Sequence, residues 1–294
     1  MSGPGPTRTA FVLAGGGSLG AVQVGMLKAL ADHGIAPDFV VGASVGALNG
    51  ARYAAEPHGD GVAHLERTWL RLRRADIFPL TMRDAALCLL GRRGHFAQPH
   101  RLRALIESEL PCRRLEDMPL PCHVVATDVL DGTEVVISSG DAGTALLAST
   151  ALPAVFPPVE IGGRALMDGG ISSNTPIAAA VSLGATRAFV LPTGSSCALD
   201  APPRGAIAMA LHALNLLAMR QLLADIDRFA SRCQLIVVPP LCPLAVHAYD
   251  FSRTGSLIAR AEAASREWLA RDMRPADPRW ALLPHRHRAP EAVG

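Results

Sequence analysis

Two stretches near the N-terminus decide the fold: Thr9–Gly20, TAFVLAGGGSLG, and Asp38–Gly46, DFVVGASVG. Each carries a short, almost unbroken apolar run and closes on glycine. A run of that length bounded by turn formers reads as a strand buried on both faces. Thr9–Ala14 and Asp38–Gly42 are therefore expected to be strands. Between them, from Gly20 to His33, Val24, Leu27 and Leu30 recur at helical spacing, and Gly34 supplies a stop. Val45–Ala55 reads as helix again. Strand, glycine turn, helix, strand, sharp turn, helix implies a mainly parallel sheet sandwiched between helices, an α/β three-layer fold.

Outward from there, the pattern stays α/β. Residues 60–110 contain no convincing strand and read as helices around Leu65–Arg74, Met82–Leu90 and Arg101–Leu110, a helical cap over one edge of the sheet. Strands return at Cys122–Thr127 and Glu134–Ser138 around the hairpin signal Asp131-Gly132. Ala142–Thr150 is a short helix, and Pro153, Pro157 and Pro158 rule out regular structure just after it. A hairpin over Ile161–Met167, turning at Gly162-Gly163, delivers Asp168. A helix from Pro176, a strand at Arg187–Leu191, a long helix within Ile207–Phe229, a strand at Leu235–Val238 and a helix at Ser256–Arg271 complete one domain over residues 9–272. Residues 1–8 and 273–294 read as flexible ends.

Composition narrows the function classes. A hydrophobic fraction of 49% in 294 residues excludes a mainly disordered chain. The 28 Lys and Arg against 26 Asp and Glu give no reason to expect nucleic acid as a partner, although a local basic patch stays open. The six cysteines form no C-x-x-C and have no histidine at finger spacing, so they read as buried free thiols and no metal is expected. The N-terminus lacks the apolar core of a signal peptide, and no apolar run reaches about 18 residues. The expectation is a cytoplasmic protein.

Three glycine-containing motifs carry the chemistry. Gly42-Ala-Ser44-Val-Gly46 is a G-x-S-x-G between a strand and a helix, the context of a nucleophile elbow. Its plain alternative is a Gly/Ser helix cap. Gly15, Gly16 and Gly17 end the neighbouring strand and open a helix, where backbone N–H groups can face an oxyanion. Gly15, Gly17 and Gly20 also satisfy G-x-G-x-x-G, but a dinucleotide fold wants an acid at the end of the second strand, and Gly42-Ala-Ser44 stands there. Among ten histidines, only His123, just inside the Cys122–Thr127 strand, competes as a base. Asp168, followed by Gly169 and Gly170, sits at a strand end where backbone and substrate can approach, and a carboxylate can take a serine proton directly. Alone, this would be an ordinary Asp-Gly turn.

Taken together and in this order, the three motifs resemble those of the patatin-like phospholipase family: G-G-G-x-[R/K]-G, G-x-S-x-G and D-G-[G/A]. Ala126-Thr-Asp128, Ala148-Ser149, Pro157-Pro158-Val159 and Asn174-Thr-Pro176 extend the likeness over about residues 9–240. The resemblance implies a Ser44–Asp168 dyad, an oxyanion hole from Gly15, Gly16 and Gly17, and hydrolysis of phospholipid, lysophospholipid or related lipid esters without cofactor or metal. Leu19 stands where the family usually has Arg or Lys, which removes a charge from the oxyanion loop. An acyltransferase or thioesterase acting on carrier-bound acyl groups, or a silent lipid-binding protein, remains open, as does peripheral contact with a membrane. The helix within Ile207–Phe229, apolar in its first half and polar in its second, is read as packed beside the acyl pocket, with a membrane-surface helix as the alternative.

Overall fold

The computed structural model describes residues 6–77, 99–194, 202–203, 205–242, 244, 246, 248–271, 279, 282–283 and 285. Its strands are β1 (Thr9–Leu13), β2 (Phe39–Ala43), β3 (Cys122–Asp128), β4 (Glu134–Ile137), β5 (Val159–Ile161), β6 (Arg164–Asp168), β7 (Arg187–Leu191) and β8 (Gln234–Val237). The helices before β3 are α1 (Gly20–Asp32), α2 (Val45–Ala55), α3 (Gly59–Arg71), α4 (Arg74–Ile77) and α5 (His100–Glu109). Those after β4 are α6 (Ala142–Ser149), α7 (Gly170–Ser173), α8 (Ile177–Ser182), α9 (Ala206–Phe229) and α10 (Thr254–Ala270).

All eight strands join one sheet. β1 lies at its centre, parallel to β2 on one side and to β7 on the other, while β3 follows β2 and β8 follows β7, also in parallel. β4 and β6 both run antiparallel to β3, and β5 runs antiparallel to β6. Val125 pairs with Ala43 of β2 on one edge and with Val136 of β4 on the other. One residue later, Ala126 pairs with Asp168 of β6 and with Val135 of β4. Since β4 holds the same edge throughout, β2 and β6 share the opposite edge of β3. They run towards each other, and their C-terminal ends meet.

The period of two along each strand divides the core between the two layers of helices. Phe11 and Leu13 face a cluster that contains Val22, Met26, Tyr53 and Ile258, from α1, α2 and α10. Ala10 and Val12 face Ile177, Leu222, Ile226 and Phe229, from α8 and the second half of α9. Outside the first layer, Lys28 of α1 bridges Glu66 of α3 at 2.9 Å and Glu262 of α10 at 2.7 Å. α6 is capped by Asp141, whose side chain accepts the Thr144 N–H at 2.7 Å.

Several boundaries differ from the sequence reading for identifiable reasons. α3 begins at Gly59, six residues before the expected Leu65, because burial of Val62, Leu65 and Trp69 on one face outweighs two glycines in its first turn. His64 lies in this helix. The expected helix Met82–Leu90 lies outside the described residues. The tail is only partly described, but Arg279 pairs with Asp227 at 3.1 Å and Leu282 is buried in the α8/α9 core, so that part docks on the body where mobility was expected. Of the cysteines, Cys122 and Cys233 are buried, with thiols pushed up to about 12 and about 11 by desolvation, whereas Cys242 is exposed.

Candidate active site

The meeting of β2 and β6 places Ser44, the residue after β2, beside Asp168, the last residue of β6. Ser44 Oγ donates to Asp168 Oδ2 at 2.7 Å across 124 residues of sequence. Ser44 is also the N-cap of α2 and adopts φ 53°, ψ −127°. A non-glycine residue in such a conformation costs about 1–3 kcal/mol and persists only where its surroundings fix it. Here they do. Its N–H donates to Ser149 Oγ at 2.9 Å, and that hydroxyl donates in turn to the Val125 carbonyl at 2.6 Å. The turn itself is too tight for side chains on either side of the serine. A Cβ at Gly46 would come within 2.2 Å of the Leu13 carbonyl, and one at Gly42 within 2.4 Å of the Gly46 carbonyl.

Asp168 is held as firmly. Its carbonyl accepts from Thr127 Oγ1 at 2.8 Å, its N–H bonds to Ala151 O at 3.0 Å, and Oδ1 accepts the Gly170 N–H at 2.8 Å. Gly169 passes against β3, with its N–H bonded to Ser149 O at 3.1 Å. The residue is only 4% exposed. Burial holds its carboxyl up at about 6 from the ordinary 3.8, against the opposing pull of the Ser44 and Gly170 hydrogen bonds. A carboxylate with that affinity for a proton is a far better base than an exposed one.

The glycine loop lies beside the serine and is pinned from three distant segments. Gly15 N–H bonds to Asn174 O at 2.9 Å, Ser18 N–H bonds to Ala248 O at 2.7 Å, and Thr193 Oγ1 donates to Gly15 O. Gly17 takes φ 59°, and a Cβ there would lie 2.3 Å from the Ala248 carbonyl. Gly15 therefore departs from the expected arrangement: its N–H is already engaged and has none to give an oxyanion. The N–H groups of Gly16 and Gly17 make no hydrogen bond among the described residues.

A cavity of about 460 Å³ opens over these groups, within the roughly 300–1,000 Å³ range of small-molecule sites. It is walled by Leu65 of α3, Leu102 and Ile106 of α5, Leu146 of α6, and Leu214 and Leu217 of α9. Leu19 adds to this apolar wall instead of a charge. Among the described residues, no histidine lines the cavity. His123 lies edge-on to Phe39, bonds to Ser138 Oγ at 2.7 Å, and has its pKa lowered by burial. His64 instead joins Glu109 at 2.9 Å, tying α3 to α5.

Other residues at the site had no role in the sequence reading. Ser149 and Thr127 sat in motifs without an assigned task. Gln23, fully buried, donates to the carbonyls of Ala14 and Leu191, both at 2.9 Å, where β1 and β7 separate. Asn49 donates to Gln23 Oε1 at 2.8 Å and accepts the Trp69 indole N–H at 2.9 Å. Tyr249 lines the cavity, and its phenol is pushed up by burial and by the Asp168 charge.

Comparison with known proteins points the same way. A family model described as patatin-like phospholipase matches residues 11–181, more than half of the chain. The chain is 31% identical over 188 residues to mouse patatin-like phospholipase domain-containing protein 7, a match covering 63% of this chain and 14% of that protein. It is 30% identical over 193 residues to human patatin-like phospholipase domain-containing protein 6, covering 65% and 14%. An uncharacterized NTE family protein of Mycobacterium tuberculosis is 31% identical over 183 residues, covering 60% and 47%. These matches thus span less than half of each relative's length. Among solved structures, human GIVD cytosolic phospholipase A2 in complex with methyl γ-linolenyl fluorophosphonate aligns over 96% of this chain and 60% of that one, at 13% identity and a TM-score of 0.49. VipD from Legionella pneumophila aligns over 92% and 67%, at 15% identity and a TM-score of 0.44.

Proposed function

The chain belongs to the patatin-like phospholipase family, and from that premise we propose that it is a serine acyl hydrolase acting on phospholipid, lysophospholipid or a related lipid ester, with Ser44 as nucleophile and Asp168 as base. The reading rests on one observation: a strained serine donating to a buried carboxylate at 2.7 Å on the floor of an apolar cavity. In the first step Asp168 takes the Ser44 proton as Oγ bonds to the ester carbonyl carbon. The carbonyl oxygen becomes an oxyanion held by the Gly16 and Gly17 N–H groups. Collapse breaks the bond to the leaving alcohol, which takes the proton from Asp168. The acyl chain, now an ester of Ser44, lies against the leucines and Ile106. Water then gives a proton to Asp168 as its oxygen bonds to the acyl carbon, and collapse breaks the bond to Ser44 Oγ, which takes that proton back from Asp168 as the fatty acid leaves.

Leu19 supports a second arm of the same reading, since nothing charged at that position selects a phosphate-bearing headgroup. The acyl-enzyme could then pass its chain to an acceptor other than water, or form from a thioester. A fluorophosphonate probe tests the core of the proposal. Ser44 should be labelled in the folded protein, Asp168→Asn should abolish turnover, and His123→Ala should leave it unchanged. An unlabelled folded protein, or a requirement for His123, overturns it. Product analysis with lipid esters and acyl thioesters offered side by side assigns the donor and the acceptor.

A further inference from the structure

α9 is one helix in two environments. Its second half is anchored: Leu222, Ile226 and Phe229 are buried, and Gln221 Nε2 donates to Ser172 O at 2.6 Å, next to the segment that carries Asp168. Its first half is far more open among the side chains described there. Met209 is 45% exposed, Leu214 43%, Leu216 49% and Leu217 63%. From Ala213 to Leu217 every residue is exposed, and five consecutive positions turn through more than a full circle. No side of the helix is fully covered over these five residues. Yet Ala206–Met219 contains no charged residue, and His212 and Asn215 are its only strongly polar side chains. A helix that is apolar all round calls for an apolar medium all round.

We propose that this half of α9 inserts into the surface of a phospholipid bilayer and seats the mouth of the cavity on it. Two observations favour lipid over a protein partner. A protein groove covers one side of a helix, whereas the exposed side chains from Ala213 to Leu217 point to all sides, as a bilayer surface that yields around the helix can accommodate. Moreover, the exposed Leu214 and Leu217 also line the cavity, joined by Ile171 at 40% exposure. A protein seated there would obstruct the opening, while a bilayer would feed it. At 1.5 Å per residue the uncharged segment is about 21 Å long, short of the roughly 30 Å hydrocarbon core, so it lies in the surface without crossing. Correspondingly, no helix among the described residues is long and apolar enough to cross a membrane.

The identity of what enters the cavity rests on the acyl-hydrolase reading, but insertion itself can be measured without turnover. Ser44→Ala protein should float with phosphatidylcholine vesicles, and adding Met209→Asp and Leu216→Asp should lower the bound fraction by about tenfold or more. Neither residue lines the cavity, so with Ser44 intact the double variant should hydrolyse a soluble short-chain ester at the unmodified rate. Because both positions are exposed, a milder pair, Met209→Ser and Leu216→Ser, should fold and shift binding in the same direction. Unchanged binding of the variants overturns the proposal. So does a parent that ignores vesicles, including one that forms a dimer in solution that the double variant dissociates. Vesicle binding without hydrolysis of any ester would instead sink the hydrolase reading and leave insertion standing.

Discussion

On the floor of the cavity, Ser44, Ser149 and Asp168 are joined to one another and to β3 by hydrogen bonds between 2.6 and 3.1 Å, and two glycines close the turn against backbone. Along the wall, Leu65, Leu102, Ile106 and Leu146 contribute apolar surface and no such directional contacts. The floor is set by geometry in which a single group has a defined partner. The wall is set by volume, which several side chains can fill equally well. On the proposed reading, reaction chemistry belongs to the first and the choice of acyl chain to the second, so changes in the two regions should differ in kind as well as size.

The sharpest break is Asp168→Asn, expected to cut turnover by about 10⁴-fold through loss of the base. The same change should make the protein more stable. The carboxyl's folded value of about 6 lies above its ordinary 3.8, so its stabilising contribution is full below pH 3.8 and is lost as pH rises through 6. At neutral pH the buried charge costs about 3 kcal/mol by this reckoning, which Asn would relieve. Thermal melting at pH 7.5 and at pH 4 should show the gain in the first condition and little in the second. A loss of stability at neutral pH would mean that the charge is well accommodated.

Ser149→Ala comes next. It leaves the Ser44 N–H and the Val125 carbonyl unpaired, costing about 1–3 kcal/mol, and loosens the elbow enough to lower kcat by about 10–100-fold. KM should hold, because Ser149 is not part of the cavity wall; a rise in KM with kcat preserved would contradict its positioning role. Smaller still is the effect of acidity. With Asp168 titrating at about 6, kcat/KM should rise about tenfold per unit up to pH 6 and level off above it. His123→Ala should not move that inflection. On the overall rate, the smallest effect belongs to the wall. Ile106→Ala should change the preference between long and short acyl esters by about 5–50-fold or less, with hydrolysis of the shortest ester nearly untouched. An equal loss on every chain length would place Ile106 with the floor.

Legibility in the sequence divided along the same line. The strands with continuous apolar runs, β1, β2 and β7, and the glycines that forbid side chains could be read from local pattern, and so could both members of the Ser44–Asp168 pair as candidates. Their juxtaposition could not, because it depends on β2 and β6 sharing an edge of β3, a pairing between residues far apart in the chain. Ser149 and Thr127 were opaque for the same reason: a hydroxyl's partner is set by the register of a strand it does not belong to. Gly15 was misplaced in the oxyanion hole because its N–H is taken by Asn174, 159 positions later. The first half of α9 borders the cavity as expected, but the exposure of Met209 and Leu216 was not legible, since apolar spacing signals a need for cover without saying whether the protein itself supplies it.

The end-to-end meeting of β2 and β6 also gives the site an order in time. A ribosome releases the glycine loop, the elbow and its helix long before residue 168, and the loop's anchors, Asn174, Thr193 and Ala248, emerge later still. Until then Ser44 has neither a proton acceptor nor a fixed cradle, however well β1 and β2 have paired. On the proposed Ser44–Asp168 mechanism, a nascent chain therefore carries a chemically idle serine past any lipid it meets, and competence for acyl transfer arrives as a late event of maturation, coupled to closure of the whole sheet.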